Sequence, residues 1–172
     1  LVVALSREGG TQLYSINLAT LQSTRITNTS GIDTEPSFSP DGQWLYFTSD
    51  RGGSPQIYKM PANGGGAQRV SFDGNYNVTA RPSPDGRTLA FITRRDGGFR
   101  VATLDLATRQ VTVLTDSQRD ESPTFAPNGQ MILYATIVGG RGVLAAVSAD
   151  GQIRQKLSAV NGDAREPAWG PN

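Results

Sequence analysis

Short stretches that are apolar at nearly every position recur along the chain: "LVVAL" at residues 1–5, "WLYF" at 44–47, "LAFI" at 89–92 and "MILYA" at 131–135. A strand with one wet face alternates apolar and polar residues, so unbroken runs of this length predict strands buried on both faces. Turn dipeptides precede three of them: Asp41-Gly42, Asp85-Gly86 and Asn128-Gly129. These residues tolerate positive φ and predict hairpins. The pattern around the first hairpin predicts four strands, Pro36–Ser39, Trp44–Thr48, Gln56–Met60 and Ala67–Ser71. Other copies predict second strands at Leu1–Leu5, Thr88–Thr93 and Met131–Thr136. Third strands are expected at Gln12–Leu18, Arg100–Leu106 and Val143–Val147, and fourth strands at Thr24–Thr27, Val111–Thr115 and Gln155–Ser158. No window places apolar residues at helical spacing long enough to predict a helix.

The hairpin signature is a repeat of fixed step. Its second proline falls at Pro40, Pro84, Pro127 and Pro171, at intervals of 44, 43 and 44 residues. Four-stranded antiparallel sheets stacked radially would bury their second strands on both faces, and a β-propeller repeats near this period. A β-sandwich, the main rival, would not normally repeat its sequence at a fixed step. The expected fold is therefore all-β, a propeller of four four-stranded blades at about residues 1–35, 36–79, 80–122 and 123–166. Residues 167–170 have the phase of an inner strand and could complete the first blade. Closure into a ring, an open arc and pairing of two chains all remain compatible with the pattern. An open arc would leave an apolar blade face in water and invite self-association.

Composition narrows the function. The chain has 172 residues and a net charge of +1, so no basic field points to nucleic acid. No apolar run approaches the length of a membrane helix, and no signal-peptide pattern is present. Histidine and cysteine are both absent. That excludes a His-containing triad, the usual zinc sites, disulfides and a Cys nucleophile. The Gly64-Gly65-Gly66 run does not open a helix and is read as a loop, not a phosphate cradle. No metal and no cofactor is expected. The Asp of each "SPDG" is assigned to turn geometry.

Candidate chemistry lies in loops on one rim. Those entering the inner strands hold Asp33, Thr34 and Glu35; Asn77 and Thr79; Asp120 and Glu121; Arg165 and Glu166. Loops after the second strands hold Arg7, Glu8, Asp50, Arg51, Arg94, Arg95, Asp96 and Arg141. Mixed charge around a shallow mouth suits a docking surface. The same carboxylates could in principle serve a glycosidase, although a carboxylate pair alone is not a site.

The ordered set "TEPSFSPDGQWLYFTSDRGGSPQIYKMPANGG", "DESPTFAPNGQMILYAT" and "REPAWGPN" resembles the propeller domain of the TolB family, over essentially the whole chain. The resemblance implies a periplasmic, non-enzymatic module of the Tol–Pal system, active in envelope integrity. It covers the last four of six blades and omits the N-terminal domain, so contact with TolA is not implied. It implies as partners the lipoprotein Pal or a colicin-like peptide at the channel mouth. "DTEP" at 33–36 matches the family segment implicated there, which singles out Thr34 and Glu35, with Asp33 beside them. Glu121 and Glu166 follow by repeat equivalence, and Arg165 adjoins the last. The third repeat departs, with Val78 and Thr79 in that place and Pro82 where Phe38, Phe125 and Trp169 stand. Other readings are a peptidase-associated propeller, and a structural or engineered propeller without retained binding.

Overall fold

In the computed structural model, residues 1–7, 9–157 and 162–169 are described, and every regular element among them is a β-strand. The first sheet contains β1 (Val2–Arg7), β2 (Gly10–Ile16) and β3 (Ser23–Arg25). The second contains β4 (Asp33–Phe38), β5 (Trp44–Ser49), β6 (Gln56–Pro61) and β7 (Gln68–Arg69). The third contains β8 (Asn77–Pro82), β9 (Thr88–Arg95), β10 (Gly98–Asp105) and β11 (Val111–Val113). The fourth contains β12 (Glu121–Phe125), β13 (Met131–Val138), β14 (Arg141–Ser148) and β15 (Arg154–Lys156). Strands neighbour one another in chain order within each sheet. The chain divides into two compact units, Leu1–Ala80 and Arg81–Asn172.

Three of the four unbroken apolar runs are buried second strands; the first, at residues 1–5, is partly buried, with Leu1 exposed. Leu45 to Ser49, Leu89 to Thr93 and Ile132 to Thr136 are buried at every position. In the first unit Leu13, Leu45, Phe47, Tyr58 and Met60 form one core cluster, with Val2, Ala4, Ile26 and Ala67 packed against it. Strands buried on both faces rarely leave backbone polar groups unpaired. A hydroxyl after each fourth strand supplies one partner: Thr27, Ser71 and Thr115 accept from the amides of Leu13, Ile57 and Val101, each at 2.9 Å. Fully buried Gln12 and Gln56 lace the connections. Gln12 donates to the carbonyls of Thr29 and Gly31, and Gln56 to that of Gly74.

The "SPDG" turn is built by its own side chains. Ser39 Oγ donates to Asp41 and accepts from the Trp44 amide, while Asp41 Oδ1 accepts from the Gln43 amide. Gly42 supplies φ of 69°. Ser83, Asp85 and Gly86 repeat this arrangement, and so do Ser148, Asp150 and Gly151 in the β14–β15 connection. That last copy lies outside the hairpin signature. Asn128 replaces the aspartate in the copy before β13, and its Oδ1 accepts from the Gln130 amide.

Three expectations need correction. The inner strands begin three residues earlier than expected, at Asp33 in β4, so "DTEP" lies in a strand and not in a loop. Asn77 and Thr79 in β8, and Glu121 in β12, are likewise strand residues. The fourth strands are shorter than expected, β7 spanning only Gln68–Arg69. Among the described residues the first sheet has three strands and residues 167–169 form none. Instead the Trp169 indole donates to the Thr124 carbonyl at 3.2 Å. Glu8, Ser158 and residue 170 lie outside the described residues.

Phe47 is fully buried in the first core cluster, and Phe47→Ala is expected to destabilise the chain by about 3–5 kcal/mol in chemical denaturation. The turn aspartates titrate in a defined direction. Hydrogen bonds from Ser39, Ser83 and Ser148, followed by those from backbone amides, hold Asp41, Asp85 and Asp150 below the ordinary value of 3.8. A depressed folded pKa favours the charged form in the fold. The stabilisation is therefore complete above pH 3.8 and is lost as pH falls through the folded values. Melting curves of Asp85→Asn should lose that acid dependence while keeping the turn, as Asn128 does naturally. Asp85→Ala should lower the melting temperature at neutral pH.

Candidate functional site

A residue in the left-handed region stands near the start of each of β4, β8 and β12, and again at Glu166, which lies outside any strand. Glu35, Thr79, Ser122 and Glu166 have φ of 54°, 58°, 53° and 48°. The β4–β5 register shifts between Thr34 and Ser37, and the β12–β13 register between Glu121 and Thr124. β4 and β12 are thus bulged at their entry, which re-aims the side chains there. A positive φ costs most for a β-branched residue such as Thr79, so its surroundings must hold it in place.

Glu35 supplies that hold within the first unit. Its Oε2 accepts from Thr48 Oγ1 at 2.7 Å and from the Thr79 amide at 3.0 Å; its Oε1 accepts from Thr79 Oγ1 at 2.6 Å. One carboxylate therefore ties β4 to β5 of its own sheet and to β8 of the next. A carboxylate offers about four acceptor sites, so one on Oε1 remains.

Asp33 lies behind this clasp. Its side chain is fully buried, and Arg51 Nη2 meets both its oxygens at 2.9 Å. Thr29 Oγ1 adds a bond to Oδ2 at 3.2 Å. The Arg51 guanidinium in turn sits 5.1 Å from the Phe47 ring centroid and 5.0 Å from that of Tyr58. Asn77 and Asp120 hold the corresponding place and are also buried. Asn77 donates to Gln56 Oε1 and to the Asp73 carbonyl. Asp120 accepts from Thr115 and Ser117 hydroxyls. Burial first, and then the Asp120 charge, pushes the Tyr134 phenol up to about 12.

In front of the clasp is a pocket of about 210 Å³. Ile32, Pro55, Tyr76 and Val78 form its apolar walls, and Thr34, Glu35 and Asp50 its polar edge. Asp50 Oδ1 accepts from the Ile32 amide at 2.6 Å, which fixes the exposed Ile32 at the rim. Gly31 is required by space: a Cβ there would stand 2.5 Å from Asp50 Oδ1 and 2.9 Å from the Arg51 amide.

The sequence-derived residues thus separate. Thr34 and Glu35 share a pocket, and Asp33 anchors them from the interior. Glu121 pairs with Ala135 as Thr34 pairs with Thr48, so it corresponds to Thr34. Ser122, not Glu121, takes the place of Glu35: Asp120-Glu121-Ser122-Pro123 aligns without a gap on Asp33-Thr34-Glu35-Pro36, and both strands carry the same register shift. Glu121 lines a cavity in the second unit with Phe99, Gln118 and Ile137. Arg165 and Glu166 are exposed and line neither pocket. Ile32, Pro55 and Tyr76 went unnoticed as site residues; the one available signal was an apolar Ile32 amid turn residues.

The model of the TolB beta propeller domain matches residues 1–172. The Tol-Pal system protein TolB of Bordetella pertussis is 54% identical over 147 residues, covering 86% of this chain and 34% of that protein. The Nitrosospira multiformis protein of the same name is 59% identical over 117 residues, 66% of this chain and 27% of that one. The crystal structure of TolB from Acinetobacter baumannii superposes with a TM-score of 0.92 at 45% identity, covering 99% of this chain and 43% of that one. The chain spans about a third of the length of the curated relatives it matches.

Removing the clasp should expose its worth. Glu35→Ala leaves Thr79 and Thr48 donors without their carboxylate, and is expected to cost about 1–3 kcal/mol in urea unfolding. An unchanged unfolding midpoint would show that the carboxylate is dispensable.

Proposed function

The chain belongs to the TolB beta propeller domain family, and on that premise we propose that it is a non-enzymatic docking module that takes Pal, or a colicin-like peptide, in the Ile32–Val78 pocket. The observation that carries this reading is the pocket itself: apolar walls, with two carboxylates and a hydroxyl at the edge. An apolar partner side chain fits between Ile32, Pro55, Tyr76 and Val78. A neighbouring Lys or Arg pairs with the free site on Glu35 Oε1 and with Asp50, and Thr34 offers its hydroxyl. Such pairing contributes about 0.2–1 kcal/mol at an exposed rim and sets orientation more than affinity.

The remaining residues have supporting parts in this reading. Asp33 positions Thr34 and Glu35 from the interior. Glu121 presents a carboxylate to the counterpart cavity, and Arg165 and Glu166 are peripheral contacts. The module works in the periplasm, within the Tol–Pal system and its envelope role, as the family membership supports.

Purified Pal titrated into the chain, followed by calorimetry, tests the proposal. Ile32→Arg alters an exposed side chain and should preserve the fold, yet weaken binding at least about tenfold. Equal binding by wild type and this variant would falsify the pocket assignment. Absence of binding at high micromolar Pal would make this chain a structural propeller segment.

A further inference from the structure

A second groove, of about 530 Å³, opens in the unit 81–172 at the turn end of its strands, away from Asp120 and Glu121. Its size lies in the range of about 300–1,000 Å³ common for small-molecule sites. One wall is the face of the β9–β10–β11 sheet. There Thr88 stands directly opposite Asp105, and Thr103 opposite Thr112. The other wall is the turn before β13, with Asn128 and Gln130, and Phe125 is buried between them.

Thr103 is mostly buried as a residue, and its side chain lines the groove without a protein hydrogen-bond partner among the described residues, so its hydroxyl is free to meet a ligand there. The side chains of Thr88, Thr112, Gln110 and Gln130 also meet no partner among the described residues and line the same space. Asp85 Oδ1 and Asp105 Oδ1 are taken by turn amides. Asp85 and Asp105 therefore keep acceptor capacity, and Asn128 keeps its amide donors.

The repeat supplies an internal control. In the second sheet the places of Thr88, Thr103, Asp105 and Thr112 belong to Trp44, Lys59, Pro61 and Gln68. There Lys59 Nζ lies 4.5 Å over the Trp44 ring, and the surface closes on itself. In the fourth sheet the same places hold Met131, Ala146, Ser148 and Gln155. Blade construction therefore does not require the polar set of the third sheet.

The chemistry of the lining selects a ligand class. No Lys or Arg lines the groove, and two carboxylates do, so an anion is disfavoured. Hydroxyls and amides that both donate and accept match a ligand that does the same. Phe125, Pro84 and Ala149 offer apolar contact for C–H groups. We propose that this groove binds a neutral sugar, as a pyranose unit of an oligosaccharide, with the Thr103 hydroxyl as a contact at its floor. The site is separate from the Pal pocket and does not depend on that reading.

Maltotriose, cellotriose and tri-N-acetylchitotriose, titrated to millimolar concentration and followed by amide chemical shifts, provide the test. At least one is expected to give saturable shifts centred on Thr103, Thr112 and Gln130. Thr103→Val keeps the shape and removes the hydroxyl. It should weaken that sugar at least tenfold while leaving the melting temperature unchanged or higher, a combination that a structural role would not produce. Gln110→Ala, at an exposed position, should also weaken binding, and Pal binding should be untouched by either variant. No saturable shift with any of the three sugars overturns the proposal, as does equal affinity for wild type and both variants. Localised shifts with calcium chloride but none with sugars would overturn it in favour of a cation.

Discussion

Strands buried on both faces leave no water for their backbones or for the polar side chains near them, and the rest of this structure follows from meeting that condition. The second strands β5, β9 and β13 are apolar because residues 45–49, 89–93 and 132–136 are buried at every position. The same burial favours an internal partner for each polar atom, with Asn77 Oδ1, Arg100 Nε and Thr136 Oγ1 as exceptions among the described residues. Thr27, Ser71 and Thr115 meet it at the end of the fourth strands. Gln12 and Gln56 meet it in the connections, and the aspartates and asparagine at 33, 77 and 120 at the entry to the inner strands. Polar residues in these sheets are therefore mostly fasteners.

The entry bulge joins fastening to function. A left-handed residue at the mouth of β4 turns Glu35 across to Thr79, where it binds the next inner strand at a residue in the same strained conformation. The carboxylate that the family resemblance marks for partner contact is thus also a structural tie. Its remaining acceptor site faces a pocket whose apolar walls come from β8 and from the loops beside it. A partner that engages Glu35 would act on its tie to Thr79 within the first unit, so binding and local stability are coupled there.

Repetition makes departures informative. Where four copies obey the same packing rule, a copy that breaks it without structural need points to another demand. Trp44 over Lys59 covers the second sheet at the place where the third sheet presents Thr88 and Thr103. The Gly of each turn carries no such information, since every copy needs it for geometry, and Asn128 shows that the turn holds without the hydroxyl–carboxylate pair.

The sequence by itself determined the strand order, the 43–44 residue step, the buried second strands and the turn chemistry, because each is a local pattern or a period. It also identified the family through its ordered motifs. Only the tertiary structure decided that Asp33 is an interior anchor bound by Arg51, eighteen residues away, and that Glu35 is shared between sheets. The correspondence of Glu121 with Thr34, and of Ser122 with Glu35, is by contrast legible in the ungapped alignment of the two copies. Burial of a carboxylate, the path of a hydrogen bond over 44 residues and the lining of a groove are properties of chain segments brought together. No window along the sequence contains them.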